Sequence, residues 1–197
     1  MPSVFTHAAV GAGLGLVMFP RGRVAGLLAL GAACAAMPDL DVAGLAVGLH
    51  LDHPLGHRGL SHSLMFAATF AAGLTALLPA RPWMSPGRAR IWLFFFLAIA
   101  SHGVLDALTN GGRGVAFWAP FSDARYHFPV TPIEVSPIGA RPFFSSRGLE
   151  ILLNELTWVW LPTALVVLAG RVLTRGVARG ARPAVTQSPI EEIAETP

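Results

Sequence analysis

Seven residues able to carry metal chemistry stand far apart in the chain: His7, Asp39, Asp41, His57, His62, His102 and Asp106. Imidazoles and carboxylates without thiolate suit zinc, manganese or iron, and zinc with one open position is the commonest hydrolytic arrangement. The local spacings fit such a role. His102 and Asp106 are four residues apart, so on a helix both leave the same face and can bind one ion, bind two adjacent ions, or form a hydrogen-bonded pair. Asp39 and Asp41 follow a small-residue stretch, and Pro38 restrains Met37 from continuing a helix, which frees both carboxylates at a helix end. In HRGLSHS, Gly59 lets the backbone turn, Ser61 is placed to cap the next helix, and His62 falls in that helix's first turn. Two aspartates with several histidines make a site of one or two Zn2+ ions feasible, with Mn2+ or Fe2+ as substitutes; paired ions about 3.5 to 4 Å apart clamp a phosphoryl oxygen. Arg58 has two readings: it pairs with one of these carboxylates, or it binds a substrate phosphate bidentately. Asp41, Arg58 and His62 form the expected catalytic set, in which Asp41 takes a proton from an activated water and Arg58 steadies the developing anion.

The remaining polar residues carry less. His50, Asp52 and His53 form a second knot, expected as a loop at a membrane surface. Asp123 and His127 read as surface or site rim, and Cys34, the single cysteine, reads as a small core residue.

What must position these groups is an apolar chain. Of 197 residues, 53% are hydrophobic and 13% charged, with a mean hydropathy of +0.58, where a soluble domain has about 25% charged residues. An ordinary soluble enzyme or a disordered chain is excluded on that ground. The isoelectric point of 10.4 resembles that of a nucleic-acid binder, yet net charge is only +3 and the basic residues, all arginine, are scattered singly. A phosphate-tracking patch needs clustering, so no nucleic-acid partner is expected. Five apolar stretches, roughly 4–19, 24–37, 62–79, 91–109 and 149–170, predict an all-α polytopic membrane bundle of four or five transmembrane helices. The first two are short and rich in Gly and Ala, which lets their backbones approach closely; the last three are long enough to cross. Residues 1–173 form one membrane-embedded domain, and 174–197 read as a disordered cytoplasmic tail.

Threading these spans sends Arg21, Arg23, Arg81, Arg88, Arg90 and the arginines from Arg171 onward to one side. Arg58, Arg113, Arg125, Arg141 and Arg147 fall on the other. The richer side is cytoplasmic by the positive-inside rule. All seven candidate ligands then meet at the opposite, extracytoplasmic end, although hydropathy alone set the boundaries. Ionisable groups at membrane depth need partners, and a cation is a natural one. Beside them, Phe117, Trp118 and Phe121 can insert at the interface as an apolar lip, with Arg125 as a cation near the headgroups.

The strings FTHAAVGAGLG, MPDLD, HRGLSHSL, SHGVLDALTNGG and WAPFSDARYHF, in that order over roughly residues 1–165, resemble the bacterial inner-membrane-bound metal-dependent hydrolase family of the LexA-regulated type. That family is distantly similar to zinc-dependent phospholipase C and P1-type nucleases. The resemblance implies a multi-pass inner-membrane protein and metal ligands at His7, Asp39, His57, His102 and Asp106, with Asp41 and His62 next. The expected activity is hydrolysis of a phosphodiester or ester, with membrane lipids or a lipid-linked phosphate as partner and substrate. A non-catalytic metal-binding membrane scaffold or regulator is the rival reading. Oligomeric state is left open.

Overall fold

The computed structural model describes residues 1–20, 25–78, 87–137 and 140–180, with backbone only at 140–141 and 175–180. The turn with Arg21 and Arg23, the loop with Arg81, and Arg182 lie outside the described residues. Among the described residues the protein is helical apart from two isolated β-bridges, Thr109–Ile133 and Val115–Tyr126. The elements are α1 (Val4–Met18), α2 (Ala25–Ala36), a 3-10 turn (Met37–Val42) running into α3 (Ala43–Ala46), a second 3-10 turn (Leu60–His62), α4 (Leu64–Leu77), α5 (Arg88–Ala107), α6 (Ala140–Phe143), α7 (Ser146–Glu155), a π turn (Leu156–Trp160) and α8 (Leu161–Gly180).

Among the described residues, three helical runs are long and apolar enough to cross a membrane: Ala25–Ala46, Arg88–Ala107 and Ser146–Thr174. Two expectations change here. The second stretch, expected to be short, continues through its 3-10 turn to Ala46. The third, expected to cross, is only the 14-residue helix Leu64–Leu77, about 21 Å long. Leu78 leaves the helix in an extended conformation, as a residue preceding proline must. At the other end of the chain, α8 carries helical backbone past Thr174 to Gly180, and residues 181–197 lie outside the described residues.

Packing explains the small residues. In lipid no hydrophobic drive joins apolar helices, so association depends on close van der Waals contact. A Cβ on Gly11 would sit 2.5 Å from the Gly31 carbonyl oxygen, so α1 and α2 touch backbone to backbone. Phe94 fills the space left by Gly15 and Gly31. The buried side of α5 reads Ile91, Phe94, Phe95, Ala98, Ile99, His102, Leu105, Asp106, one stripe at helical period. His102 and Asp106 therefore extend the core-facing stripe itself, and His7 similarly continues the α1 face of Gly11 and Gly15.

Ser61 does not cap α4. That position belongs to Ser63, whose Oγ accepts from Phe66 N at 3.1 Å, because Leu60–His62 closes as a 3-10 turn first. Replacing Ser63 by Ala is expected to lower stability by about 1 kcal/mol without changing bound metal. A thermal melt in detergent with elemental analysis checks both halves of this expectation.

Candidate metal centre

The C-terminal end of α2, the start of α1, the start of α4 and the C-terminal end of α5 lie together. The segment 110–137 is laid over them through bonds such as Ala116 N to Arg58 O (3.0 Å) and Leu64 N to Phe117 O (3.0 Å). His7, His62, His102 and Asp106 are buried there, with Asp39 beside them.

Around a 3-10 turn, at three residues per turn, positions two apart point in different directions. Asp39 and Asp41 accordingly serve two clusters. Asp39 joins His62, His102 and Asp106, and Asp41 joins His57 and His62. Asp41 is engaged at both oxygens: it accepts from Ser61 Oγ at 2.5 Å and His57 Nδ1 at 2.7 Å, and lies 3.1 Å from His62 Nδ1. His102 Nδ1 is 2.7 Å from the Ala35 carbonyl oxygen. A carbonyl only accepts, so this nitrogen carries the hydrogen and the Nε2 lone pair faces the cluster. His62 Nδ1 lies 3.0 Å from Ser61 Oγ, whose own hydrogen goes to Asp41, so this nitrogen also donates and leaves Nε2 for the cluster.

Two Nε2 atoms without hydrogen then stand 3.0 Å apart, His62 against His102. Asp39 Oδ1 is 3.3 Å from His102 Nε2 and 3.9 Å from His62 Nε2, and Asp106 Oδ2 is 3.5 Å from His62 Nε2. Ligands about 2.0–2.1 Å from a tetrahedral zinc are about 3.3–3.4 Å from each other, and these distances scatter around that value. Both ring nitrogens of His7 and both carboxylate oxygens of Asp39 and of Asp106 are buried without a hydrogen-bond partner. Buried polar atoms are ordinarily satisfied, so a cluster of orphans around one point asks for a cation. The carboxylates of Asp39 and Asp106 face the same point and draw positive charge to the place where an ion fits.

Arg58 resolves toward the first of its two readings. Its Nε lies 2.9 Å from Asp106 Oδ2 as an ion pair without hydrogen-bond alignment. Nη1 donates to Gly111 O at 2.8 Å and Nη2 to Thr109 Oγ1 at 2.9 Å. This non-glycine residue has φ +64°, a left-handed conformation costing of order 1 kcal/mol or more, which those three anchors hold in place. Gly112 (φ +88°) makes room for the guanidinium, since a Cβ there would meet Arg58 Nη1 at 2.5 Å.

His57 and Arg58 border a cavity of about 150 Å3, with Leu51, Gly112, Arg113 and Val135. Met1 and Ser136 form a wall that it shares with an apolar cavity of about 340 Å3 lined by Phe5, Phe143 and Phe144. Trp118 and Phe121 are exposed, as a lip requires. Arg125 is instead a brace, donating to His57 O at 3.2 Å and Leu51 O at 2.9 Å. The second polar knot stays outside: Asp52 pairs with Arg113 in solvent, and His53 Nδ1 accepts from Leu55 N. His50, Asp123 and His127 are exposed, and Cys34 is buried in the core.

One buried polar residue that supports the cluster was not singled out in the sequence. Glu155 is fully buried, and its carboxylate accepts from Ser3 N (2.5 Å), Ser3 Oγ (2.6 Å) and Thr6 Oγ1 (2.6 Å), while Trp160 Nε1 donates to Thr6 Oγ1 (2.6 Å). It fixes the first turn of α1, from which His7 enters the cluster. The available signal was a carboxylate inside the apolar run LEILLNELTWVW.

Fold and site together define a helical membrane protein with a buried His/Asp cluster at one end of its bundle. A family model described as YdjM inner membrane protein matches residues 1–181. The chain is also 39% identical over 171 residues to "Inner membrane protein YbcI" of Escherichia coli (strain K12), covering 85% of this chain and 95% of that protein. The chain therefore belongs to the YdjM inner membrane protein family. No solved structure matches it.

Proposed function

We propose that the protein is a membrane-bound divalent-metal-dependent hydrolase acting on a phosphodiester or ester, of the metal-dependent hydrolase type that its motifs resemble. The observation that carries this reading is the set of orphaned, buried imidazole and carboxylate atoms converging at one end of the bundle. His7, Asp39, His62, His102 and Asp106 would hold Zn2+, or Mn2+ or Fe2+, and such an ion activates water and polarises a phosphoryl or ester oxygen. Asp41 is engaged with His62 and His57, so His57, at the edge of the smaller cavity, is placed to move the proton. Arg58 holds Asp106 and closes the inner wall. His57, Arg58 and Arg113 at the smaller cavity and Phe143 and Phe144 at the larger one suit a lipid or lipid-linked phosphate, with its head beside the charged side chains and its chain along the rings. The arginine distribution supports a periplasmic position for this end of the bundle.

The test is turnover of a phospholipid and of a chromogenic phosphodiester by zinc-loaded protein in detergent. His57→Gln is expected to lower kcat by about 100-fold or more with bound metal unchanged; unaltered kcat would remove His57 from the mechanism. A second reading, a non-catalytic metal-holding scaffold, is favoured by one observation: His7, His102 and Asp106 have no solvent exposure, as in closed structural sites. It predicts full metal occupancy with no turnover of either substrate.

A further inference from the structure

We propose that the cluster is built for two ions, bridged by both Asp39 and Asp106: an inner ion held by His62 and His102, and an outer one held by His7. The proposal rests on the metal-binding part of the reading above and not on its chemistry. Each carboxylate divides its oxygens between the two sides. Asp39 presents Oδ1 to His102 (3.3 Å) and Oδ2 to His7 Nε2 (4.0 Å). Asp106 presents Oδ2 to His62 (3.5 Å) and Oδ1 to His7 Nε2 (3.6 Å).

Ring geometry separates two ions from one. The His62 and His102 rings cross at 78° with their Nε2 atoms 3.0 Å apart, so their lone pairs converge on a shared point. The His7 and His102 rings are stacked, 3.7 Å between centroids and 16° from parallel. Lone pairs lie in the planes of their rings, and two stacked planes share no point within bonding distance of both, so His7 and His102 serve separate ions. A ring spacing of 3.7 Å leaves room for two ions at the roughly 3.5–4 Å found in two-metal sites.

The two positions differ in what they leave open. The inner one has four protein ligands, His62, His102, Asp39 and Asp106, the closed tetrahedral complement. The outer one has three, His7 and one oxygen from each aspartate, the complement that leaves a position for water or substrate. The ion beside His7 is thus the one with a coordination position left open for a further ligand.

Purified full-length protein loaded with Mn2+ alone is the test. Elemental analysis is expected to give two ions per wild-type chain, and electron paramagnetic resonance an exchange-coupled multiline signal. His7→Ala is expected to halve the count to one and to convert the spectrum to that of an isolated ion, while His7→Asp, which restores an oxygen ligand, returns the second ion. A thermal melt confirms that each variant is folded. One ion per wild-type chain, or two in folded His7→Ala, overturns the proposal. Because the readout is a count and a spectrum, one ion with phosphodiester turnover overturns the bridged pair and leaves the hydrolase reading standing. Two coupled ions without turnover support the pair and refute the hydrolase.

Discussion

Asp106→Ala is expected to abolish metal binding and, by a separate route, to destabilise the bundle. Residues that only support metal ligands are worth about 10- to 100-fold in affinity, so a carboxylate facing both His62 and His7 should be worth at least that. Purified variant should retain only trace metal. The stability loss comes from Arg58, which is buried at 3% exposure against Asp106 at 0%. Removing one partner of a buried pair costs about 3–5 kcal/mol because the other charge is stranded. The two effects can be divided. Adding Arg58→Met to Asp106→Ala removes the stranded charge and should recover part of the melting temperature, while metal stays absent. If the double variant regained metal, Asp106 would have no ligand role; if it regained no stability, the burial argument for Arg58 would fail.

The convergence of ligands was legible in the sequence because it depends only on where apolar runs begin and end. A helix that crosses the bundle fixes the level of whatever closes it, so His7, Asp39, His62, His102 and Asp106 arrive at one end regardless of rotation. On α5 even the rotation was legible, since an i, i+4 pair at the end of a stripe beginning with Ile91 and Phe94 must face the core. Rotation elsewhere was not. The divergence of Asp39 and Asp41 depends on a 3-10 rather than an extended or α-helical path after Pro38, and both paths satisfy that proline. Arg58 runs inward because a left-handed backbone and three distant acceptors, Asp106, Thr109 and Gly111, hold it there; no local pattern encodes those acceptors. The length of α4 was overestimated because hydropathy continues past Leu77 while the residue before Pro79 cannot stay helical. The loop 110–137 joins the site through backbone hydrogen bonds, which side-chain types do not reveal.

Glu155 shows how a residue outside the cluster governs it, and its replacement gives the second large effect. Its carboxylate is the sole acceptor seen for Ser3 N and it binds the hydroxyls of Ser3 and Thr6. All of these groups are buried. Hydrogen bonds to a charged acceptor contribute about 1.5–3 kcal/mol each, and three that share one carboxylate are not additive, so Glu155→Ala is expected to cost about 3–5 kcal/mol. The π turn Leu156–Trp160 follows immediately and carries Trp160, whose indole Nε1 donates to the same Thr6 hydroxyl. Loss of the carboxylate therefore loosens the seat of α1 from both sides, and His7, one turn into that helix, loses its fixed approach to Asp39 and Asp106. The expected signature is selective: metal held through His7 weakens, while His62 and His102, positioned by Asp41 and the Ala35 carbonyl, keep theirs. Glu155→Gln retains an acceptor oxygen and should lie between wild type and Ala in both melting temperature and metal content. Equal loss at all ligands would instead mean that the bundle end unfolds as a unit, and unchanged metal in a folded Glu155→Ala would show that α1 is seated by its packing against α2 and α5 alone.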